Sequence, residues 1–402
     1  MKAIYKHLLL LFVACTLAGM FTSCEDDDGG GEPTIRYVRV TKASASDSLL
    51  VAAGQGQMIA IMGENLGGVI ELWINDQEAS LSPTLITNTS VIVRLPEELP
   101  AVINNKLTLI FASGKVLEHD FELAVSEPEI LSMVSEFVPD GQVATIKGNY
   151  FYPPLTVTFT GGLEAEILDV EDQAIDVIVP VGAEPGPITV TSSFGTTTST
   201  LHFRDNRAFL NYDNLNSNGS WRPGTTATTD GLDGKYLVLK GKLNANERSE
   251  DYPGGGYVSE FWAKANGRPE GNLLPGKPED YVMKFEVRVV EWFGSYLNIC
   301  FAPWGHENSN QEYWSNLNAK AYWGPWDATN STFTTDGEWI TAVIPMTSFA
   351  YAVTTPGGVV TYEPMQFNPA ITGSLSFWVI GSPKASASPV ELHIDNVRIV
   401  PK

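Results

Sequence analysis

The sequence predicts an all-β protein in which two tandem β-sandwiches precede a larger third one. Short apolar runs rich in Val, Ile and Thr recur along the 402 residues and are separated by Gly, Pro, Asn and Asp, which is typical of strands and turns. Helical periodicity is hard to find after residue 32. Turn signals recur about every 8–12 residues, a spacing that favours sandwiches over alternating strands and helices.

An internal repeat divides the first half of the chain. Gly54–Leu66 and Val138–Phe151 both contain Gly-Gln, an apolar strand, a glycine, an Asn and an apolar anchor. Residues 127–205 resemble a TIG/IPT domain, an immunoglobulin-like family, and residues 33–126 resemble it less closely. The resemblance implies two spacer sandwiches, in which glycines permit tight turns and aromatic side chains fill the core.

The N-terminus has the pattern of a lipoprotein leader. Residues 1–23 combine two lysines with an apolar run too short to span a bilayer, which predicts a signal peptide. The end of this segment and Cys24 resemble a bacterial lipobox, which implies cleavage before Cys24 and acylation of that residue. An ordinary secretory signal with an incidental Cys24 is the alternative.

Residues 24–32 predict a solvated tether, because an acidic run is followed by glycines. An acidic run after the lipobox cysteine resembles the export signal of Bacteroidetes surface lipoproteins. This implies anchoring in the outer membrane facing the exterior, with retention facing the periplasm as the alternative. The net charge of −22 argues against a nucleic-acid partner, and three cysteines are too few for a disulfide framework.

Residues 206–402 form the third block, which holds nine of the ten tryptophans. Apolar and polar residues alternate in segments such as Met283–Val289, as expected of half-buried antiparallel strands. The length suits a jelly-roll-like β-sandwich. Trp262, Trp339 and Trp378 lie within strand patterns, and we expect them in the core.

Residues 304–326 combine Trp and Tyr with Asn, Gly and Pro, a composition typical of loops. Exposed rings are costly unless they contact something. An indole ring matches the C–H face of a β-linked sugar, and nearby polar side chains bond its hydroxyls. The candidate glycan-binding residues are Trp292, Trp304, Trp314, Tyr322, Trp323 and Trp326; packing of these rings in the core is the alternative.

The whole arrangement resembles a B-type surface glycan-binding protein of Bacteroidetes polysaccharide-utilisation systems. The segments that carry the resemblance are Tyr281–Val287, Tyr322–Trp326, Thr334–Ile340 and Val343–Phe349. It implies non-catalytic binding of a β-glucan or xyloglucan-like polysaccharide on an aromatic platform of the C-terminal domain. Trp323 and Trp326 match a Trp-Gly-Pro-Trp segment that recurs in the family, either as part of this platform or as part of the core. It also implies an outer-membrane importer complex and surface glycanases as partners.

We expect no catalytic residue, metal or cofactor. Acidic residues are numerous in residues 206–402, but no recognisable paired-carboxylate motif is present, and the five histidines are scattered. Two alternatives remain open at this point: a structural or adhesive surface lipoprotein without a glycan site, and an endo-glycanase with an unrecognised carboxylate pair. A structural calcium also remains possible.

Overall fold

A computed structural model of the chain describes residues 31–207, 210–211, 225–227, 231–243, 257–258, 261–264, 276–302, 319–364, 374–382 and 389–402, apart from residues 46, 233, 355, 357 and 359. Strands dominate these residues, which confirms the all-β prediction. They divide into two compact units, of which the first ends at Ser126 and the second is Glu127–Lys402. None of the helices in this part of the chain has the length and hydropathy needed to span a membrane.

The first unit is a β-sandwich with its own apolar core. Its strands are β1 (Thr34–Val40), β2 (Ala52–Gly54), β3 (Met58–Glu64), β4 (Val69–Ile74), β5 (Gln77–Ala79), β6 (Ser90–Arg94), β7 (Lys106–Phe111), β8 (Val116–Asp120) and β9 (Glu122–Ala124), with 3-10 turns at Ala43–Ala45 and Pro83–Leu85. Its antiparallel sheets have the strand orders β1-β3-β6 and β5-β4-β7-β8, while β2 and β9 pair in parallel. Ile59, Leu72 and Leu107 are fully buried between the sheets.

The second unit begins with a sandwich of the same design. Its strands are β10 (Glu129–Met133), β11 (Val143–Asn149), β12 (Leu155–Phe159), β13 (Leu163–Glu164), β14 (Glu166–Glu171), β15 (Ala174–Ile178), β16 (Thr189–Ser192) and β17 (Gly195–Thr198). They form two sheets with the strand orders β10-β11-β15-β14 and β13-β12-β16-β17. Ile146, Val157 and Val190 are fully buried between these sheets.

The repeated glycine has the same structural cause in both sandwiches. A Cβ atom at Gly63 would lie 1.9 Å from the Thr34 carbonyl oxygen, and one at Gly148 would lie 1.8 Å from the Glu129 carbonyl oxygen. Only glycine lets the neighbouring strand approach so closely. The internal repeat predicted from the sequence is therefore a structural repeat.

The C-terminal sandwich consists of two larger sheets. Their elements are β18 (Leu210–Asn211), β19 (Thr225–Ala227), β20 (Tyr236–Lys242), β21 (Tyr257–Val258), β22 (Phe261–Lys264), β23 (Tyr281–Glu291), β24 (Ser295–Ala302), β25 (Lys320–Trp323), α1 (Trp326–Thr329), β26 (Ile340–Pro345), β27 (Ala350–Thr354), β28 (Val360–Pro364), β29 (Ser374–Gly381) and β30 (Pro389–Pro401), with 3-10 turns at Pro278–Asp280 and Met346–Ser348. One sheet has the strand order β19-β20-β30-β23-β26, with β18 paired to β30 and β21 to β20, and the other has the order β22-β29-β24-β25-β27-β28.

The central strand β23 follows the predicted alternation. Met283, Phe285 and Val287 point into the core between the two sheets, where they are fully buried. Lys284 and Glu286 point to the opposite face, and they too are buried. Part of the outer face of the seven-stranded sheet is therefore covered, and the covering residues come from the second sandwich.

Candidate functional site

Trp292 and Trp326, both predicted to stack on a sugar, lie in the core of the C-terminal sandwich. Neither side chain has exposed surface. Trp292 Nε1 donates to Ser295 Oγ at 2.8 Å, and Trp326 Nε1 donates to the Ser295 carbonyl oxygen. A ring that is enclosed on both faces cannot stack on a ligand, so the prediction is wrong for these two residues.

The turn after β25 explains why Trp326 is buried. Gly324 passes so close to Tyr296 that a Cβ atom would lie 2.6 Å from that ring. Pro325 then occupies the position immediately before α1, and the Trp326 ring packs against the rings of Phe293 and Tyr296, with centroids 5.1 and 5.2 Å apart. The Trp-Gly-Pro-Trp segment is thus a tight turn whose second tryptophan is buried in the core.

Trp323 covers the end of the same core. Its half-buried ring lies 5.5 Å from Phe285, 5.2 Å from Trp292 and 6.5 Å from Phe333, measured between ring centroids. Most of its surface is used in packing, although part of the ring still reaches solvent.

Among the predicted site residues that the structure describes, Tyr322 is the one whose side chain is largely exposed. Consecutive residues of a strand point to opposite faces, so Trp323 turns towards the core while Tyr322 turns outwards, where it is 58% exposed. Tyr296 lies edge-on to it, with centroids 6.5 Å apart. Tyr362 on β28 is also largely exposed, and the pairing of β25, β27 and β28 places it on the same outer face.

A cross-strand row leads from Tyr322 along the outer face of the six-stranded sheet. Asn298 on β24 pairs with Tyr322 on one side and with Trp378 on the other. Asn298 and Trp378 are both buried, as expected for Trp378. Within the described residues, neither polar atom of the Asn298 amide has a hydrogen-bond partner. The row therefore combines an open tyrosine ring, a buried amide and a tryptophan.

The buried amide of Asn298 leads to a prediction about stability. An unsatisfied buried polar group costs about 1–3 kcal/mol, and leucine has a similar volume without polar atoms. We therefore expect Asn298→Leu to raise the free energy of unfolding by about 1–2 kcal/mol in urea denaturation. A loss of stability would contradict this, because it would mean that the amide holds an ordered water molecule.

Trp304 and Trp314 lie in the segment 303–318, which is outside the described residues. Cys24 is also outside them.

Trp339, predicted to be a core residue, is instead half-buried on the outer face of the seven-stranded sheet. There it packs edge-on against Tyr236, with centroids 5.5 Å apart, under the Arg288 guanidinium at 4.9 Å. The Trp339 ring therefore packs against other side chains of the protein.

An ion-pair network joins the second sandwich to the outer face of the seven-stranded sheet. Glu136 accepts from Lys284 Nζ at 2.6 Å and from an Arg398 Nη at 2.7 Å, and the same Arg398 nitrogen contacts Glu286 at 3.1 Å. All four side chains are almost completely buried. We call these four residues the joint network. Sequence reasoning missed it, because its members come from three segments that are at least 112 residues apart in the chain.

Neutral groups complete this joint. Ser135 Oγ donates to Glu286 at 2.8 Å, and the Thr341 amide donates to the Val134 carbonyl oxygen at 2.8 Å. Burial raises the pKa of Glu286, although the neighbouring Arg398 acts in the opposite direction. The joint closes this part of the seven-stranded sheet to a ligand, and among the described residues the outer face around Tyr322 is the candidate surface.

Four of the acidic residues that would be candidates for the carboxylate pair of a glycanase lie within the described residues. Glu286 bonds within the joint network and has no access to solvent. Glu291, Asp327 and Glu338 are exposed on separate elements. Glu260, Glu307 and Glu312 lie outside the described residues. No group of three or more metal-ligating residues occurs in the part of the chain that the structure describes.

Comparisons with known proteins agree with the fold. Residues 203–401 match a family model described as the surface glycan-binding protein B xyloglucan binding domain. A curated IPT/TIG domain-containing protein of Bacteroides ovatus is 33% identical over 162 residues, which cover 38% of this chain and 33% of that protein. The chain thus spans about a third of the length of this curated relative.

A solved structure covers nearly the whole chain. The surface glycan-binding protein PbSGBP-B from Prevotella bryantii matches with a TM-score of 0.68 and 22% identity, over 92% of this chain and 99% of that one. Together the matches confirm the resemblance to B-type surface glycan-binding proteins with IPT/TIG domains. These relatives are described as surface binding proteins rather than as enzymes.

Proposed function

Since residues 203–401 match a glycan-binding domain of cell-surface proteins, we propose that this chain captures a neutral β-linked polysaccharide, of the β-glucan or xyloglucan type, without cleaving it. The observation that carries the proposal is the exposed ring of Tyr322 on the outer face of the six-stranded sheet. A tyrosine ring offers an apolar face for the C–H groups of a sugar and a hydroxyl for its polar edge. The family match supports xyloglucan as the first ligand to test.

Weak binding is expected at this site. Stacking of a sugar on one aromatic ring contributes about 0.5–1.5 kcal/mol, by analogy with aromatic pairs. Sugar hydroxyls must lose water on binding, so we expect Kd values between about 1 µM and 1 mM. Many copies of the protein at a cell surface would hold one polymer far more tightly by recapture.

A panel of polysaccharides tests this function. Affinity electrophoresis of the protein in gels containing xyloglucan, mixed-linkage glucan or laminarin is expected to show retardation in at least one gel, while starch and an anionic pectin leave its migration unchanged. Incubation with the retained glycan is expected to release no reducing ends. Retardation by none of the β-glucans would refute the proposal, and release of reducing ends would favour the glycanase.

We further propose that the chain is anchored in the outer membrane through acylated Cys24 and displayed on its outer face. Several acyl chains hold a protein to a membrane stably, whereas a single chain does not. Cys24→Ser is expected to abolish labelling by a radioactive fatty acid and to release the protein into the soluble fraction. Persistent labelling of this variant would exclude acylation at Cys24.

We propose an outer-membrane importer complex and surface glycanases as functional partners, since captured chains must be shortened and taken up. In this arrangement the two amino-terminal sandwiches serve as spacers. Co-purification of the chain with a porin-type importer from membranes grown on the bound glycan tests the partnership. Its absence under those conditions would argue that the protein acts alone.

A further inference from the structure

One corner of the second sandwich carries three aromatic rings close together. Tyr150 is 40% exposed, while Tyr152 and Phe194 are half-buried. The ring centroids are 6.3 Å apart for Tyr150 and Tyr152 and 6.0 Å apart for Tyr152 and Phe194. We call these three residues the aromatic corner. The internal repeat makes it possible to ask whether the fold itself requires them.

Tyr150 occupies a backbone conformation that disfavours its side chain. Its φ is +60°, and Asn65, at the matching position of the first sandwich, has a φ of +57°. Asparagine enters this left-handed region readily, whereas a bulky residue there is strained. Strained residues persist where the surrounding structure holds them, and they cluster at functional sites. The tyrosine therefore costs stability that the asparagine of the first sandwich does not.

The other two rings also have no counterpart in the first sandwich. Gly67 stands at the position that matches Tyr152. The hairpin between β7 and β8 corresponds to the hairpin that carries Phe194, and its loop, residues 112–115, contains no aromatic residue. Since the same sandwich folds at this corner without any of the rings, their presence in the second copy calls for a reason other than folding.

Phe194 and Asp172 both lie close to Tyr152. Phe194 packs edge-on against its ring, with an interplanar angle of 90°. Burial, together with the nearby carboxylate of Asp172, raises the pKa of Tyr152. The amide of Phe151 donates to the Asp172 carbonyl oxygen at 3.2 Å, which ties the same loop down. The exposed ring of Tyr150 thus adjoins a ring that packs against Phe194, in a loop held by a backbone hydrogen bond.

The surroundings of the aromatic corner select the kind of ligand. The Asp172 carboxylate lies close enough to Tyr152 to raise its pKa, and Glu129 accepts at 2.7 Å from the side-chain amide of Asn149, the residue before Tyr150. Carboxylates are hydrogen-bond acceptors and repel anions, and the chain carries a net charge of −22. A neutral ligand rich in hydroxyl donors and with an apolar face fits this chemistry.

We propose that the aromatic corner is a second contact site for the neutral polysaccharide, with Tyr150 as the stacking ring. This inference rests on the proposed function of the C-terminal sandwich. A polymer held at one site meets the second at a high effective concentration, so a contact too weak to hold an oligosaccharide still strengthens retention of a long chain.

Replacing Tyr150 by the residue of the matching position tests this proposal. Tyr150→Asn in the full chain removes the ring and relieves the backbone strain. We expect retention by xyloglucan polymer in affinity gels to weaken roughly two- to tenfold, the loss of one ring contact. The affinity for a xyloglucan heptasaccharide, measured by calorimetry, is expected to stay unchanged, and the melting temperature is expected to rise.

Leu168→Asn is the matched control, because Leu168 is an exposed apolar residue on β14 of the same sandwich. It is expected to leave polymer retention unchanged. Unchanged retention by Tyr150→Asn with normal heptasaccharide binding would overturn the second site alone, as would an equal loss in the control or a lower melting temperature of Tyr150→Asn. Absence of heptasaccharide and polymer binding in the unmodified chain would overturn the proposed function itself.

Discussion

Replacing Arg398 by alanine is expected to lower the free energy of unfolding of the second unit by about 3–5 kcal/mol, the usual cost of breaking a buried ion pair. Arg398 contacts both Glu136 and Glu286, and its guanidinium stacks 4.6 Å above the Phe137 ring. Without it, two buried carboxylates face the single charge of Lys284. Urea denaturation followed by tryptophan fluorescence measures the loss.

Two further variants show whether the unpaired buried charge causes the loss of stability expected for Arg398→Ala. Lys240→Ala removes a mostly exposed partner of Glu391 and is expected to cost less than about 1 kcal/mol. The double change Arg398→Met and Glu286→Leu removes one charge of each sign. We expect its free energy of unfolding to return much of the way to that of the unmodified chain. A loss for Arg398→Ala no larger than that for Lys240→Ala would mean that the joint network contributes little.

Replacing Tyr322 by alanine is expected to raise the Kd for polysaccharide about two- to tenfold, which corresponds to the loss of one stacking contact of about 0.5–1.5 kcal/mol. The side chain is largely exposed, so we expect the free energy of unfolding to change by less than about 0.5 kcal/mol. Calorimetry with xyloglucan oligosaccharide and thermal melting measure the two quantities on the same samples.

Val343→Ala provides the matched control for Tyr322. Val343 is similarly exposed, but it lies on β26 of the opposite sheet, and we expect its replacement to leave the affinity unchanged. Equal binding by the Tyr322→Ala variant and the unmodified chain would remove Tyr322 from the site. A collapsed melting transition would instead assign Tyr322 a structural role.

Strand positions were predictable because the signal is local. Leu155–Phe159 alternates Thr with apolar residues between turn residues, and the structure has a strand with those bounds. The repeated glycines were predictable for the same reason, since a glycine followed by an apolar anchor recurs in both copies. Local alternation determines which face of a strand is apolar, whatever packs against it.

The candidate site was predicted less well, because composition does not distinguish an exposed ring from a buried one. Trp326 follows a turn that reads as an open loop, and its burial depends on Tyr296 and Ser295, about 30 positions earlier. One signal was present in the sequence: Tyr322 and Trp323 are consecutive in a strand, so they point to opposite faces. Only one of the two could lie on an outward platform.

The joint network could not be predicted at all. Glu136 and Arg398 are 262 residues apart in the chain, and each is an ordinary surface charge by its local pattern. Their burial follows from the packing of the second sandwich on the seven-stranded sheet. Sequence periodicity correctly assigned Lys284 and Glu286 to the outer face of β23, but it contains no information on what covers that face.

The most direct test of the central claim is a crystal structure of the chain with a bound xyloglucan oligosaccharide. We predict a sugar ring stacked on the Tyr322 ring at van der Waals distance, on the outer face of the six-stranded sheet. An oligosaccharide bound elsewhere, with the Tyr322 ring facing only solvent, would contradict the site proposed for this protein.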